Sequence, residues 1–562
     1  MHSLMRTRWA ALTVGLGVFV AACGGTTSAG GPAKASADKQ VLRINTGVQP
    51  NSLDPGQQSY DYEGIVGRNV FEPLLKPTKD AKDLTGAAAT GKPDVSSDGL
   101  TYTFHLRDNN WSDGQPVKAA DFVYAWGRLL NPCLAAGYAD PFYDQTVKGG
   151  ENYANIDAKD TAACTTYVKT LGLKAPDAKT FVVTLQKPAG YFPYIASLWV
   201  GAPVRQDIVE KYGSDKWATV PAQVIGNGKF KVGELVANDH ITLVPNSQYK
   251  GDQAQLQKFE MFFISDSNTA LNKYKNGELD VLNVPIADTD ALKADPKFGK
   301  QIHTYKSLDT FWYTFNNKTA PFNNPAVRKA FAMSIDRKQL VDKVSHGQYL
   351  PETTFTPEGM PGYQGANADL KDLLKFDVTA AKKALTDAGV APASLTVSLL
   401  TRDTTTNKTL NQYIADQWST NLGVKVNLEV IDSKTVTKRI RKGDFQIYGA
   451  DGWGMDYAHP QDIFDIQTTG GCHGTQWDCY SSKAYDDLVA KGDAEKDFNK
   501  ALDDYKAAEK VLLTDAPFTP LYQRPSVDMV QPWVQGITAV TLDESVYTPG
   551  DFYTETIYIS QH

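Results

Sequence analysis

The 562-residue chain predicts an α/β fold, divided among roughly two to four domains. Helix-period and strand-period segments alternate along its length, and several strand signals run into glycine-containing loops. With 42% hydrophobic and 22% charged residues, the chain can bury large cores and is too long for a single one.

Taken in order, the first element is an export signal. Arg6 and Arg8 precede an apolar run from Trp9 to Ala22 that is too short to span a bilayer comfortably and ends in "VAACGG". Residues Gly24 to Gln40 have almost nothing to bury and read as a flexible tether. No later stretch is apolar for long enough to cross a membrane, so the body is expected outside the cytoplasm. "TYTFHL" (Thr101 to Leu106) and "TFVVTL" (Thr180 to Leu185) read as strands. "NPAVRKAFAMSIDRKQLVDKV" predicts one helix with Asn324 as N-cap, Pro325 at its first position, and Val327, Ala330, Phe331 and Ile335 on a buried face. "DVTAAKKALTDAGV" predicts another between the cap Asp377 and the stop Gly389, followed by the strand "SLTVSLL". A helix over Leu410 to Asn421, the strand "VKVNLEVI", a helix near Val436 to Arg441 and the apolar "FQIYGADGW" come next. "GWGMDY" then lies at a strand end, where open α/β sheets bind ligands.

Composition and motifs exclude several kinds of chemistry. A net charge of −7 with scattered Lys and Arg offers no basic field, so nucleic acid is not an expected partner. Neither HExxH nor GxSxG occurs. "GAAATGKP" (Gly86 to Pro93) has the spacing of a phosphate loop, but Pro93 stands where a hydroxyl is needed. Five cysteines are present. With Cys23 set aside, Cys133, Cys164, Cys472 and Cys479 form an even set suited to disulfides in an oxidising compartment. Three connectivities are open, and proximity favours Cys133 with Cys164 and Cys472 with Cys479. A zinc site from His459, Cys472, His473 and Cys479 matches no short ligand spacing, and no metal or cofactor is expected.

Binding signatures remain. Tyr and Trp flank glycines at several places, giving broad contact faces beside accessible backbone. "GADGWGMDYAHPQD" (Gly449 to Asp462) sets Asp456 between Trp453 and Tyr457, just after Gly449, Gly452 and Gly454. Asp456 is the natural counter-charge for an ammonium; its alternative reading is a turn or capping residue ahead of "HPQDIF".

Ala21 and Ala22 before Cys23 resemble the lipobox of bacterial lipoproteins, with Val20 where Leu is usual; in that pattern the Cys is acylated. "PNSLDP" (Pro50 to Pro55), "NVFEPLL" (Asn69 to Leu75), "DGLTYTFHLRDNNWSDGQPVKAADFVYAW" (Asp98 to Trp126), "FWYTFNNKTAPFNNPAVRKAFAMSIDR" (Phe311 to Arg337), "GWGMDYAHP" and "PFTPLYQRPSVDMVQPWV" (Pro517 to Val534) follow one another in the order of the family 5 solute-binding proteins of ABC importers. Over essentially the whole mature length the chain resembles that family, and within it the oligopeptide-binding proteins.

The resemblance implies a two-lobed clamp of periplasmic-binding-protein type, class II, with the family's extra domain. A signal peptide (1–22) and tether (23–40) would precede domain I (41–75, 202–307 and 526–562), domain II (76–201, packed on the first lobe) and domain III (308–525, the second lobe). It implies a monomeric, lipid-anchored extracytoplasmic receptor, not an enzyme, that captures oligopeptides and hands them to a permease with separate ATPase subunits. Gly24 and the Ala, Gly and Thr richness lean toward a Gram-positive cell. By the family's pattern Asp456 pairs with the peptide's α-amino group, the backbone of Gly452 to Gly454 bonds the extended peptide, and Trp453, Met455 and Tyr457 surround it. Tyr60, Asp61, Tyr62 and Glu63 fall where the other lobe contacts the peptide. In one departure, Ala450, followed by Asp451, stands where family members that grip a C-terminal carboxylate place an Arg; Arg439 or Arg441 are the candidate substitutes. Rival readings are the same fold holding nickel, haem, a siderophore or a sugar, a secreted hydrolase, and a sensor of extracellular peptide.

Overall fold

The computed structural model describes residues 32–139, 143, 145–469, 478–540, 542 and 549–562. The signal, Cys23 and the tether up to residue 31 lie outside the described residues, as do Cys472 and His473; the rest of the expected tether is ordered, with Ala37–Lys39 a helical turn and the buried Gln40 side chain bonded to the Ile559 backbone.

Among the described residues two large mixed sheets organise the chain. The first has seven strands, in the order Ile302–Tyr305, Ser526–Val530, Val281–Asn283, Val41–Asn45, Lys258–Phe262, His240–Pro245 and Phe230–Val236. Val41–Asn45 shows why such a segment becomes a strand. Its β-branched and aliphatic residues alternate, so Leu42 and Ile44 are buried while Val41, Arg43 and Asn45 are partly exposed. The second sheet has six strands: Leu350–Pro351, Phe518–Gln523, Thr310–Phe315, Ile447–Trp453, Thr396–Arg402 and Lys425–Ile431. Thr396–Arg402 runs parallel to both Lys425–Ile431 and Ile447–Trp453, which places their C-terminal ends together.

A four-stranded sheet (Asp94–Val95, Thr101–His105, Thr180–Thr184, Leu173–Lys174) carries the helix Ala119–Leu129. Phe122, Trp126 and Leu129 on that helix are buried at three- and four-residue spacing, and the Trp126 indole donates to the Gly201 carbonyl at 2.8 Å. This sheet and the first large sheet share one continuous core, with Leu42, Ile44, Phe104, Phe181 and Phe230 in a single cluster. The second sheet is filled separately. Its helix Thr405–Leu422 buries Leu410, Ile414, Trp418 and Leu422 against Tyr313 and Phe331.

The chain passes between the two large sheets at residues 306–309 and again at 524–525. These crossings are tied together. The Arg524 guanidinium meets the Asp309 carboxylate at 2.7 Å, and the Arg524 N–H donates to the Asp309 carbonyl.

The strands expected at Thr101, Thr180, Thr396 and Val424, and the helix between Asp377 and Gly389, are present within a residue or two of the expected bounds. The Asp377 side chain accepts from the Ala380 N–H, and Gly389 adopts φ +71°. The single helix expected from Asn324 to Val344 is two helices, Pro325–Met333 and Arg337–Val344. Asp336 is the reason: its carboxylate accepts from the Gln339 N–H and starts a second helix, an N-cap that competes with continuation. Cys133 is bonded to Cys164, as proximity suggested. Cys479 is also in a disulfide, while its expected partner Cys472 lies outside the described residues.

Candidate functional site

The segment around Asp456 begins inside the second sheet. Gly452 and Trp453 end the strand Ile447–Trp453, and residues 454–457 leave it as a turn. Just upstream the strand carries a bulge. Trp312 faces Asp451 and Thr314 faces Tyr448, so Gly449 and Ala450 together stand opposite Tyr313, with Ala450 held at φ +60°. A non-glycine residue in the left-handed region costs on the order of 1–2 kcal/mol, and such bulges re-aim side chains beside binding sites. Here the Asp451 carboxylate turns toward Thr314, whose hydroxyl donates to it at 2.8 Å.

The glycines have work to do in the sheet itself. A Cβ on Gly452 would lie 2.4 Å from Phe311 and 2.9 Å from the Thr310 carbonyl, and one on Gly454 would lie 2.9 Å from the Asp309 carboxylate. A side chain at Gly452 is opposed by the backbone as well as by Phe311, whereas one at Gly454 would have to displace the Asp309 carboxylate.

Asp462 shapes the turn. Its carboxylate, 1% exposed, accepts from the backbone N–H groups of Asp456 (2.7 Å) and Tyr457 (3.3 Å) and from the Trp453 indole (3.3 Å). Burial, and then the neighbouring Asp456, push its proton affinity well above the ordinary carboxylate range. Met455 and Tyr457 point inward, the Tyr457 hydroxyl donating to Gln461. Trp453 is half-buried and Asp456 partly exposed.

From the other side of the molecule Tyr138, in the chain that follows the helix Ala119–Leu129, donates its hydroxyl to the Asp456 carboxylate at 2.7 Å. Close by, the Tyr194 ring packs on Tyr457 and His459, and the Gly190 N–H donates to the Asp493 carbonyl. Asp456 therefore sits at the boundary between the part of the molecule built on the first sheet and the part built on the second.

Tyr60 to Glu63 form the start of the helix Asp61–Val70. Tyr60 is exposed and its ring stacks on that of Tyr62 at 5.5 Å. The Glu63 carboxylate is turned inward, 1% exposed, accepting from the backbone N–H groups of Asn51, Ser59 and Tyr60. It fixes the segment's backbone. The side chain of Asp61 is not among those described.

His459, one of the four residues weighed as zinc ligands, is buried against Tyr194, Phe498 and Tyr505 and accepts the Gln461 N–H on Nδ1. Burial lowers its pKa to about 3. Arg439 is engaged by Glu429 and Asp444. The parallel register sets Leu399 opposite Ile447 and Leu400 opposite Tyr448, and two residues on the Arg402 guanidinium donates to the Tyr448 hydroxyl at 3.0 Å. Nothing local in the sequence marks Arg402 or Tyr138, because strand register and the meeting of distant segments place them. Asp462 was visible at the end of the glycine-rich stretch, its spacing from Asp456 the only signal.

Residues 83–474 match the model of the bacterial extracellular solute-binding proteins, family 5. The chain is 34% identical to the periplasmic oligopeptide-binding protein OppA of Salmonella typhimurium over 99% of each chain. Among solved structures it resembles the unliganded open form of the periplasmic murein tripeptide-binding protein MppA (TM-score 0.77, 29% identity, 95% and 99% of the two chains). It likewise resembles Haemophilus influenzae OppA in complex with the peptide RPPGFSPFR (TM-score 0.71, 27% identity, 93% and 99%). The chain thus has a two-lobed, periplasmic-binding-protein-like α/β fold and belongs to the family 5 extracellular solute-binding proteins of bacteria.

Proposed function

We propose that this protein captures oligopeptides outside the cytoplasm between its two lobes and delivers them to the permease of an ABC importer driven by separate ATPase subunits. It acts as a monomer, by binding alone, tethered through lipid on Cys23 to the membrane of a Gram-positive cell. Domain I (41–75, 202–307, 526–562) and domain II (76–201) make one lobe, and domain III (308–525) the other. The shared core of the first and four-stranded sheets supports that grouping.

The observation that carries the reading is Asp456, a carboxylate at the lobe boundary on a turn held by buried hydrogen bonds and reached by Tyr138 from the opposite side. An α-ammonium sealed there loses water and needs a negative partner. The end of the strand Ile447–Trp453, at Gly452 to Gly454, offers main chain to an extended ligand, and such bonding is blind to side chains. Tyr60 and Tyr62 present stacked rings from the other lobe, and Arg402, bonded to the Tyr448 hydroxyl, is a cation on the strand beside the place of the family's missing Arg.

Calorimetry on a four-way set tests this: wild type and Asp456→Asn, each with a free-amine peptide and its N-acetyl form. Removing either half of a buried ion pair costs roughly 3–5 kcal/mol, so each single change is expected to weaken binding by a hundredfold or more. The two losses should not add, because each removes half of one interaction. Equal affinity of the wild type for acetylated and free peptides would show Asp456 to be a turn residue only.

A further inference from the structure

Beside the strand end that leads to Asp456 lies a cavity of about 130 Å³, whose lining includes Trp312, Thr314, Asp451, Gly452, Trp453 and Asp478. That is room for several water molecules or the end of one long side chain. Two carboxylates enter this one space, and among the described residues neither is in an ion pair. Asp451 takes the Thr314 hydroxyl and the Gly452 N–H. Asp478, 1% exposed, takes the Tyr480 N–H on one oxygen, and its other oxygen is buried with no hydrogen-bond partner. A buried carboxylate oxygen without a donor is costly, and two acids facing one cavity add mutual repulsion.

The surrounding cations offset the pair only in part, and the Trp312 indole assists Asp451. Arg328, on the Asp478 side, spends its guanidinium on the carbonyls of Phe322, Asp515 and Ala516. Arg402, on the Asp451 side, bonds the Tyr448 hydroxyl. Burial accordingly raises Asp451 to about 6 and Asp478 to about 7, the latter also through repulsion from Asp451. Two carboxylates fall short of the oxygen set a calcium ion takes, and among the described residues no group of three metal-ligating side chains exists. The indoles of Trp312 and Trp453 give the same space aromatic walls, which suit an organic cation with an aliphatic stem.

We propose that this cavity is a side-chain subsite for a basic residue of the bound peptide, its ammonium or guanidinium seated between Asp451 and Asp478 and its stem between Trp312 and Trp453. The inference rests on the peptide-binding reading and deepens it. Gly452 and Trp453 line the cavity and lead within four residues to Asp456, about 13 Å at most for extended chain. The preferred basic residue is therefore one of the first four or so of the ligand.

The test is a set of free-amine alanine pentapeptides in which a single lysine is walked through the positions, each paired with its Nε-acetyl-lysine counterpart. Binding is measured to the wild type, Asp478→Asn and Asp451→Asn/Asp478→Asn. At one position lysine should bind the wild type about thirtyfold or more tightly than acetyl-lysine. In the double variant that ratio should fall to near one, while the all-alanine peptide binds as before. Peptide binding with no lysine preference at any position would overturn the subsite and leave the peptide reading intact. So would a preference that survives both substitutions. Absence of binding by every peptide would overturn both. The comparison of lysine with acetyl-lysine on the wild type needs no variant to fold.

Discussion

Asp462 offers the most direct test of how the turn around Asp456 is held. Substitution by Ala removes the acceptor of three donors: the Asp456 and Tyr457 N–H groups and the Trp453 indole. A donor left buried without a partner costs about 1–3 kcal/mol. The Tyr457 N–H is sealed, whereas the other two belong to partly exposed residues that water can reach. Relief of repulsion with Asp456 offsets part of the loss. The expected destabilisation is therefore about 2–4 kcal/mol, which for a unit of this size lowers Tm by roughly 4–16 °C. Asp462→Asn separates the contributions: its carbonyl can keep both backbone N–H groups, but its amide sets a donor against the indole, and the expected cost falls to about 1 kcal/mol. Calorimetric melting gives stability, and titration with free-amine and N-acetylated peptides gives function. Affinity should fall for the free-amine peptide and change little for the acetylated one, because the turn's purpose is to aim Asp456. An Asp462→Ala protein with unaltered Tm and unaltered free-amine affinity would refute the reasoning.

Three further outcomes are expected. His459 is held neutral with a pKa of about 3, so the unfolded chain binds the extra proton; its stabilising contribution is whole above pH 6.5 and is lost as pH falls toward 3. By pH 5 that amounts to about 2 kcal/mol, and the stability difference between wild type and His459→Phe should shift by that much between pH 7 and pH 5 in urea titrations. Trp418→Ala, deleting a fully buried indole that also donates to the Phe331 carbonyl, should cost about 3–5 kcal/mol, read from the denaturation midpoint at unchanged slope. Opening the Cys133–Cys164 disulfide, which spans 31 residues, should cost about 3–4 kcal/mol, read from the melting of Cys133→Ser/Cys164→Ser.

What could be read from the sequence was whatever depends on local chemistry. Asp377 and Gly389 bracket a helix because a carboxylate satisfies its first N–H groups and a glycine accepts a left-handed φ, and both signals act over a few residues. Asp336 was overlooked for the complementary reason: the apolar stripe runs on through Ile335, and a period-based reading continues a helix across a cap that interrupts it. The stretch from Gly449 to Asp462 announced itself by composition, but its glycines were credited to a ligand when at Gly452 the neighbouring strand, through Phe311 and the Thr310 carbonyl, already calls for one. Tyr138, Arg402 and the cavity between Asp451 and Asp478 depend on strand register, a bulge and the meeting of lobes. No window of sequence contains those facts.

The strand Ser526–Val530 lies inside the first sheet, between Ile302–Tyr305 and Val281–Asn283, and not at its edge. A chain emerging from its N-terminus has made every other strand of that sheet long before this one. Until it arrives, Val281–Asn283 offers an open edge and Ile302–Tyr305 has nothing to pair with, the kind of exposed edge that invites wrong partners. The second sheet waits almost as long, since its own last strand, Phe518–Gln523, also inserts between two earlier ones, but it is completed just before. Biogenesis thus has a direction: the half carrying Asp456 can be finished while the half that is to meet it is still open. A chain broken off near residue 525 would keep the acid and lose the surface that closes on it.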